Sequence, residues 1–258
     1  LSATLRDPRI GGFDQVTTLV NESSSTVRKA IATLFARKQR DDLLLLYFSG
    51  HGVLDEHGSL YLAVTDTERD LLNGTAVDSG FVKTLMDQSH SSRQLLILDC
   101  CHSGAFGRGS KAALQASVGT KDAFEGTGFG RVVMTATDAT QFAWEGDDLI
   151  GAGQKSVFTA CLIDGLQTGE ADLDDDGQIT VSELYRYVYD RVLAETPRQT
   201  PMTWSYKQVG EVIIAGNPHL HRRLDLLPQE SRECLDDPRP TVRLGVTVQL
   251  ERLLQADD

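Results

Sequence analysis

Leu43-Leu44-Leu45-Leu46-Tyr47-Phe48-Ser49-Gly50-His51-Gly52 and Leu95-Leu96-Ile97-Leu98-Asp99-Cys100-Cys101-His102-Ser103-Gly104 decide how this chain reads. Each opens on an apolar run of the kind that a strand buried on both faces presents. Each then turns abruptly polar and small. Two neighbouring parallel strands of this type would bring a histidine and a cysteine to one sheet edge, the edge where open α/β sheets bind ligands. A Cys and a His far apart in sequence but meeting there point to a thiol nucleophile with an imidazole to manage its proton.

The 258 residues are 40% hydrophobic and 24% charged, with a net charge of −12. This is the composition of a globular protein, with chain enough for one large core or a domain with an appendage. The acidic balance, with no Lys/Arg-rich run, argues against a nucleic-acid partner. No apolar run approaches the roughly 20 residues of a membrane span. No signal-peptide pattern opens the chain at Leu1. The cysteines are Cys100, Cys101, Cys161 and Cys234. Two of them are adjacent, which does not suit a secreted disulfide framework, and a reducing, cytoplasmic setting is expected.

Strand and helix patterns alternate over residues 1–218, which predicts an α/β fold with a mainly parallel sheet. Strands are expected at Gln15–Val20, Leu43–Phe48, Leu95–Asp99, Arg131–Ala136 and Glu211–Ala215, with a short hairpin strand at Leu60–Ala63. Ser23-Ser24-Ser25 offers an N-cap for a helix carrying Val27, Ala30, Ile31, Leu34 and Phe35. Further helices are expected over Asp78–Gln88, Ser156–Leu166 and Ser182–Ala194. Residues 103–130, rich in Gly, Ser and Ala, read as a long loop of the kind that is functional or disordered.

Residues 219–258 differ in character. A helix pattern, the Asp/Pro turn of Leu235–Thr241 and a second helix from near Val242 resemble one HEAT-type repeat. One repeat cannot bury its own face, so it would begin a larger array or dock on the first domain, and it could present a surface to a protein partner. An ordinary C-terminal helical hairpin fits these residues equally well.

Tyr47-Phe48-Ser49-Gly50-His51-Gly52 and Leu98-Asp99-Cys100-Cys101-His102-Ser103-Gly104 resemble the two active-site signatures of the caspase/metacaspase-like cysteine peptidases. Ala136-Thr137-Asp138 with Ala143-Trp144-Glu145 is similar to the segment after the fifth strand in the prokaryotic branch. The resemblance covers residues 1–218. It implies a three-layer caspase-like sandwich with a small helical segment after it. By position the nucleophile is Cys101 and its partner His51, while alternation along the strand sends Cys100 into the core. Backbone amides of Gly52 and Cys101 would hold the oxyanion, and the product of attack would be an acyl-enzyme thioester.

In metacaspases the acidic residue two before the nucleophile selects Arg or Lys in the substrate. Here that residue is Asp99, with Asp138 and Glu145 as further acidic candidates. The resemblance thus implies a protein or peptide substrate with Arg or Lys before the scissile bond, since a carboxylate pairs with a guanidinium or ammonium. The alternative is that Asp99 caps a turn. Arg108, Lys111 and Lys121 in the loop would be self-cleavage sites for such an enzyme. Family analogy extends to an effector in bacterial stress or defence.

Asp172-Leu173-Asp174-Asp175-Asp176-Gly177-Gln178-Ile179-Thr180-Val181-Ser182-Glu183 matches the twelve-residue EF-hand loop at each key position. Asp172, Asp174, Asp176 and Glu183 would give carboxylates, Gln178 its backbone carbonyl, and Thr180 a direct or water-mediated contact. Five carboxylates this close repel one another unless a cation neutralises them. Ca²⁺ is therefore expected, in a structural or a regulatory role, with a plain solvated acidic loop as the alternative.

In that family the sheet starts with an apolar strand before the first helix. Residues 1–12 contain none, and Gln15–Val20 matches the second strand, so an N-terminally incomplete piece is expected. Two functions follow: a caspase-like cysteine endopeptidase, and a non-catalytic Ca²⁺-binding interaction module that keeps the fold without the chemistry.

Overall fold

The computed structural model describes residues 1–102, 130–136, 156–197, 199–207 and 210–219, without the side chains of Cys101 and His102. Along the chain the helices are α1 (Ser2–Arg6), α2 (Ser24–Phe35), α3 (Leu72–Thr75), α4 (Ser79–Gln88), α5 (Val157–Thr168) and α6 (Val181–Glu195). The strands are β1 (Leu43–Leu54), β2 (Leu60–Leu62), β3 (Val77–Asp78), β4 (Arg93–His102), β5 (Arg131–Thr135), β6 (Gln178–Thr180), β7 (Met202–Tyr206) and β8 (Ile213–Gly216). Among the described residues no helix is long and apolar enough to cross a membrane.

The main sheet has the order β3-β2-β1-β4-β5-β7. Its centre, β1-β4-β5, is parallel, and antiparallel strands flank it at both ends. Alternation along the central strands feeds two cores. Leu95, Ile97, Val132 and Met134 face Phe158, Leu162, Leu184 and Val188 of α5 and α6. Leu44, Leu96, Leu98, Cys100 and Val133 face Ile31 and Phe35 of α2 and Val82 and Met86 of α4. Helices therefore cover both faces, as a parallel sheet requires, and the fold is a three-layer α/β sandwich.

Local signals set most boundaries. Ser23 caps α2 by accepting from the Thr26 amide, and Asp78 caps α4 by accepting from the Gly80 amide. At the end of α5, Gly169 takes a left-handed φ of +75°, and a Cβ there would stand 2.1 Å from Asn217 Oδ1. At the other end of the sheet the buried Arg131 donates to Asp87 at 2.7 Å, which ties β5 to α4.

Four features differ from expectation. First, β1 and β4 do not stop at Phe48 and Asp99 but continue as strands through both motifs. The parallel ladder carries on past the apolar runs, and β2 then takes up the end of β1. Second, Gln15–Val20 is not a strand. It is largely exposed (Val20 is 71% exposed), and no strand of the described sheet pairs with it. Strand propensity without a ladder partner does not make a strand. Third, the strand expected at Glu211–Ala215 forms as β8, but it pairs with β6 in a separate two-stranded sheet. Fourth, β7 closes the main sheet against β5 through a segment not expected to be a strand. The loop expected at 103–130 and the HEAT-like segment expected at 219–258 lie, apart from residues 130 and 219, outside the described residues.

Candidate active site

The ladder between β1 and β4 runs from Leu43 opposite Arg93 to Gly52 opposite His102. In that register His51 and Cys101 are direct partners. Neighbouring strands lie about 4.8 Å apart, so the two backbones meet without any further folding. The adjacent thiol, Cys100, is 4% exposed and packs with Leu96 and Leu98 in the core between the sheet and α2/α4. Successive strand positions belong to opposite faces, which gives Cys101 the set that includes Asp99. His51 is exposed and Gly52 buried. The Ala63 amide donates to the His51 carbonyl at 2.8 Å, which fastens the backbone just past β2 to the histidine.

Asp99 lies two positions before Cys101 and is 8% exposed. Ser156, the N-cap residue of α5, donates its hydroxyl to Asp99 Oδ1 at 2.9 Å, and Thr159 donates to Oδ2. Tyr47 of β1 joins through its hydroxyl, 2.6 Å from Thr159 Oγ1. Burial pushes the Tyr47 hydroxyl up. The strand motif marked Asp99, but nothing local marked its partners. Ser156 and Thr159 read as ordinary helix-start hydroxyls, and their destination 57 and 60 residues away is not a local signal. Asp138 and Glu145 lie outside the described residues.

The acidic loop connects α5 to β6 and α6. Carboxylate oxygens of Asp172, Asp174 and Asp176 converge within 4.8 Å of one another. Gly177, at the sharp turn, has φ +87°. Asp172 is 6% exposed and accepts from the Asp176 and Gly177 amides and from Asn217 Nδ2. Burial first, then the charges of Asp176, Glu183 and Asp172, push the Asp174 carboxyl up, against an amide bond from Asp176. Glu183 stands apart from the three aspartates. Its Oε1 accepts from the Leu173 amide and its Oε2 from the amide and hydroxyl of Thr180. Burial raises the Glu183 carboxyl, but these bonds outweigh it and hold the group low. Ile179 is fully buried, and Gln178 pairs with Gly216 of β8. Hard oxygen donors in this number and spacing fit Ca²⁺.

Adjacent parallel strands thus carry a histidine and a cysteine as register partners. The family model of the caspase domain matches residues 1–213, and the chain belongs to that family. Membership supports a function of the cysteine-peptidase type. Among solved structures, the crystal structure of a protein from Geobacter sulfurreducens is similar in fold, with a TM-score of 0.50 at 18% identity. That match covers 81% of this chain and 81% of the other. No curated protein matches the chain.

Proposed function

We propose that the protein is a cysteine endopeptidase working through a Cys101–His51 dyad. The observation that carries the reading is the register pairing of these two residues at the end of the parallel ladder. In the proposed cycle the Cys101 thiol passes its proton to His51, and the thiolate attacks the scissile carbonyl. The Gly52 and Cys101 amides would hold the oxyanion. Collapse breaks the C–N bond as His51 returns the proton to the leaving amine, and a thioester remains. Water, deprotonated by His51, then attacks the thioester and releases the acid and the thiol. Asp99, lying two positions before the nucleophile, would hold an Arg or Lys side chain before the scissile bond.

We further propose that the loop 172–183 holds Ca²⁺, through Asp172, Asp174 and Asp176 with the Gln178 carbonyl, Thr180 and Glu183 as further ligands. The convergence of three carboxylates supports this. A reducing, cytoplasmic compartment suits the thiol nucleophile. Cleavage of its own chain at Arg108, Lys111 or Lys121, and an effector role in stress or defence, extend the same reading.

The test is labelling by an electrophile with Arg in the recognition position, run with and without Ca²⁺. The expected result is one covalent adduct on Cys101, lost in Cys101→Ala, together with cleavage of peptides after Arg or Lys. No adduct under either condition would leave the non-catalytic Ca²⁺-binding module as the function. Preferential cleavage after Asp would overturn the assigned specificity.

A further inference from the structure

We propose that Thr159 and Ser156, at the start of α5, are positioning residues that fix the plane of the Asp99 carboxylate and thereby make the site prefer Arg over Lys. The inference rests on the cysteine-peptidase reading above. It starts from donor accounting. A carboxylate only accepts, so Thr159 spends its one proton on Asp99 and can only accept from Tyr47. Tyr47 is therefore the donor, and the order is Tyr47 to Thr159 to Asp99. Ser156 holds the other oxygen.

A carboxylate on a single bond otherwise turns through a broad torsional well. One hydroxyl on each oxygen stops that rotation. Each oxygen keeps a second lone pair, so a substrate can still be bound. A guanidinium needs a fixed plane for two parallel hydrogen bonds, whereas an ammonium behaves as a point charge and does not. Pinning the plane therefore favours Arg.

The start of α5 shows the same arrangement from the helix side. A serine at the N-cap ordinarily accepts from an amide of the first turn. Ser156 makes no such bond; its hydroxyl is turned to Asp99 instead. The helix forgoes its own cap, and the hydroxyl goes to the residue two before the nucleophile.

The experiment uses the full chain and matched fluorogenic peptides that differ only in Arg or Lys before the bond. Thr159→Val should raise KM for the Arg peptide about tenfold and for the Lys peptide only about threefold, with kcat changed less than about twofold, as loss of a charge-assisted bond dictates. Thr159→Ser, which keeps the hydroxyl, should restore both values. If Thr159→Val does not fold, Tyr47→Phe must still shift the Arg/Lys ratio in the same direction, because it removes the donor behind Thr159. A wild type that cleaves after Arg, with an Arg/Lys ratio unmoved in the folded variants, overturns the positioning role alone. Equal loss of kcat on both peptides marks structural damage and overturns it too. A wild type that cleaves after neither residue removes the reading on which it rests.

Discussion

The two ends of α5 lie against two different solutions to the same problem, that of keeping carboxylate charge inside a folded chain. At the first end stands one carboxylate, Asp99, buried and met by a hydroxyl on each oxygen. At the other stand three, Asp172, Asp174 and Asp176, of which only Asp172 is buried. The protein satisfies Asp99 from its own side chains. The three aspartates are met by amide bonds of their own loop and by Asn217, and burial first, then the neighbouring charges, pushes the Asp174 carboxyl up. A single buried acid can be completed by protein donors, whereas a converging set is not. On the proposed reading, the first end would take a substrate cation and the second a metal.

The sharpest way to break this division is to cross the two sites. Cys101→Ala should lower kcat/KM by roughly 10⁴-fold or more, the scale for removing a nucleophile. The same variant should keep the full thermal shift with Ca²⁺. Cys100→Ala, a change in the α2/α4-side core, should cost about 1 kcal/mol of stability for its small cavity while turnover persists. Equal losses for the two cysteines would overturn Cys101 as the nucleophile. At a Ca²⁺ concentration of about 100 Kd the loop should gain about 2.7 kcal/mol over the chelated protein. Asp174→Asn, which keeps an acceptor for the Asp176 amide, should weaken Ca²⁺ about tenfold by calorimetry, since ligand charge count tunes such sites. No heat and no thermal shift in the wild type would remove the metal from the comparison altogether.

The pairing of the two motif strands was legible because its signals are local and directional. Two apolar runs, each ending in a short polar motif, were enough to expect adjacent parallel strands and to separate Cys101 from Cys100 by alternation. The convergence of Asp172, Asp174 and Asp176 was legible for a related reason: the spacing of carboxylates within one loop is written in consecutive residues. What the sequence did not show were partners chosen by the tertiary fold. Gln15–Val20 has strand composition but meets no ladder, whereas Met202–Tyr206, bounded by Pro201, pairs with β5 all along its length. Within the acidic loop, β6 pairs with β8, Ile179 lying opposite Ala215. Asn217 then reaches back to Asp172. None of these pairings leaves a periodic trace, because each joins segments between which the sequence carries no shared pattern.

The smallest expected effect decides how Glu183 is used. Thr180 and Glu183 form a reciprocal capping box at the start of α6: the Thr180 hydroxyl accepts from the Glu183 amide, and Glu183 accepts from the Thr180 amide. If Glu183 is the closing ligand of the loop, Ca²⁺ must draw its carboxylate away from Thr180. Glu183→Gln should then change stability in chelator by less than about 0.5 kcal/mol, since Gln also completes a capping box, while weakening Ca²⁺ severalfold. Chemical denaturation in chelator and calorimetry with Ca²⁺ measure the two terms. An affinity unchanged by Glu183→Gln would show that Glu183 stays with its cap, and that the three aspartates hold the ion without it.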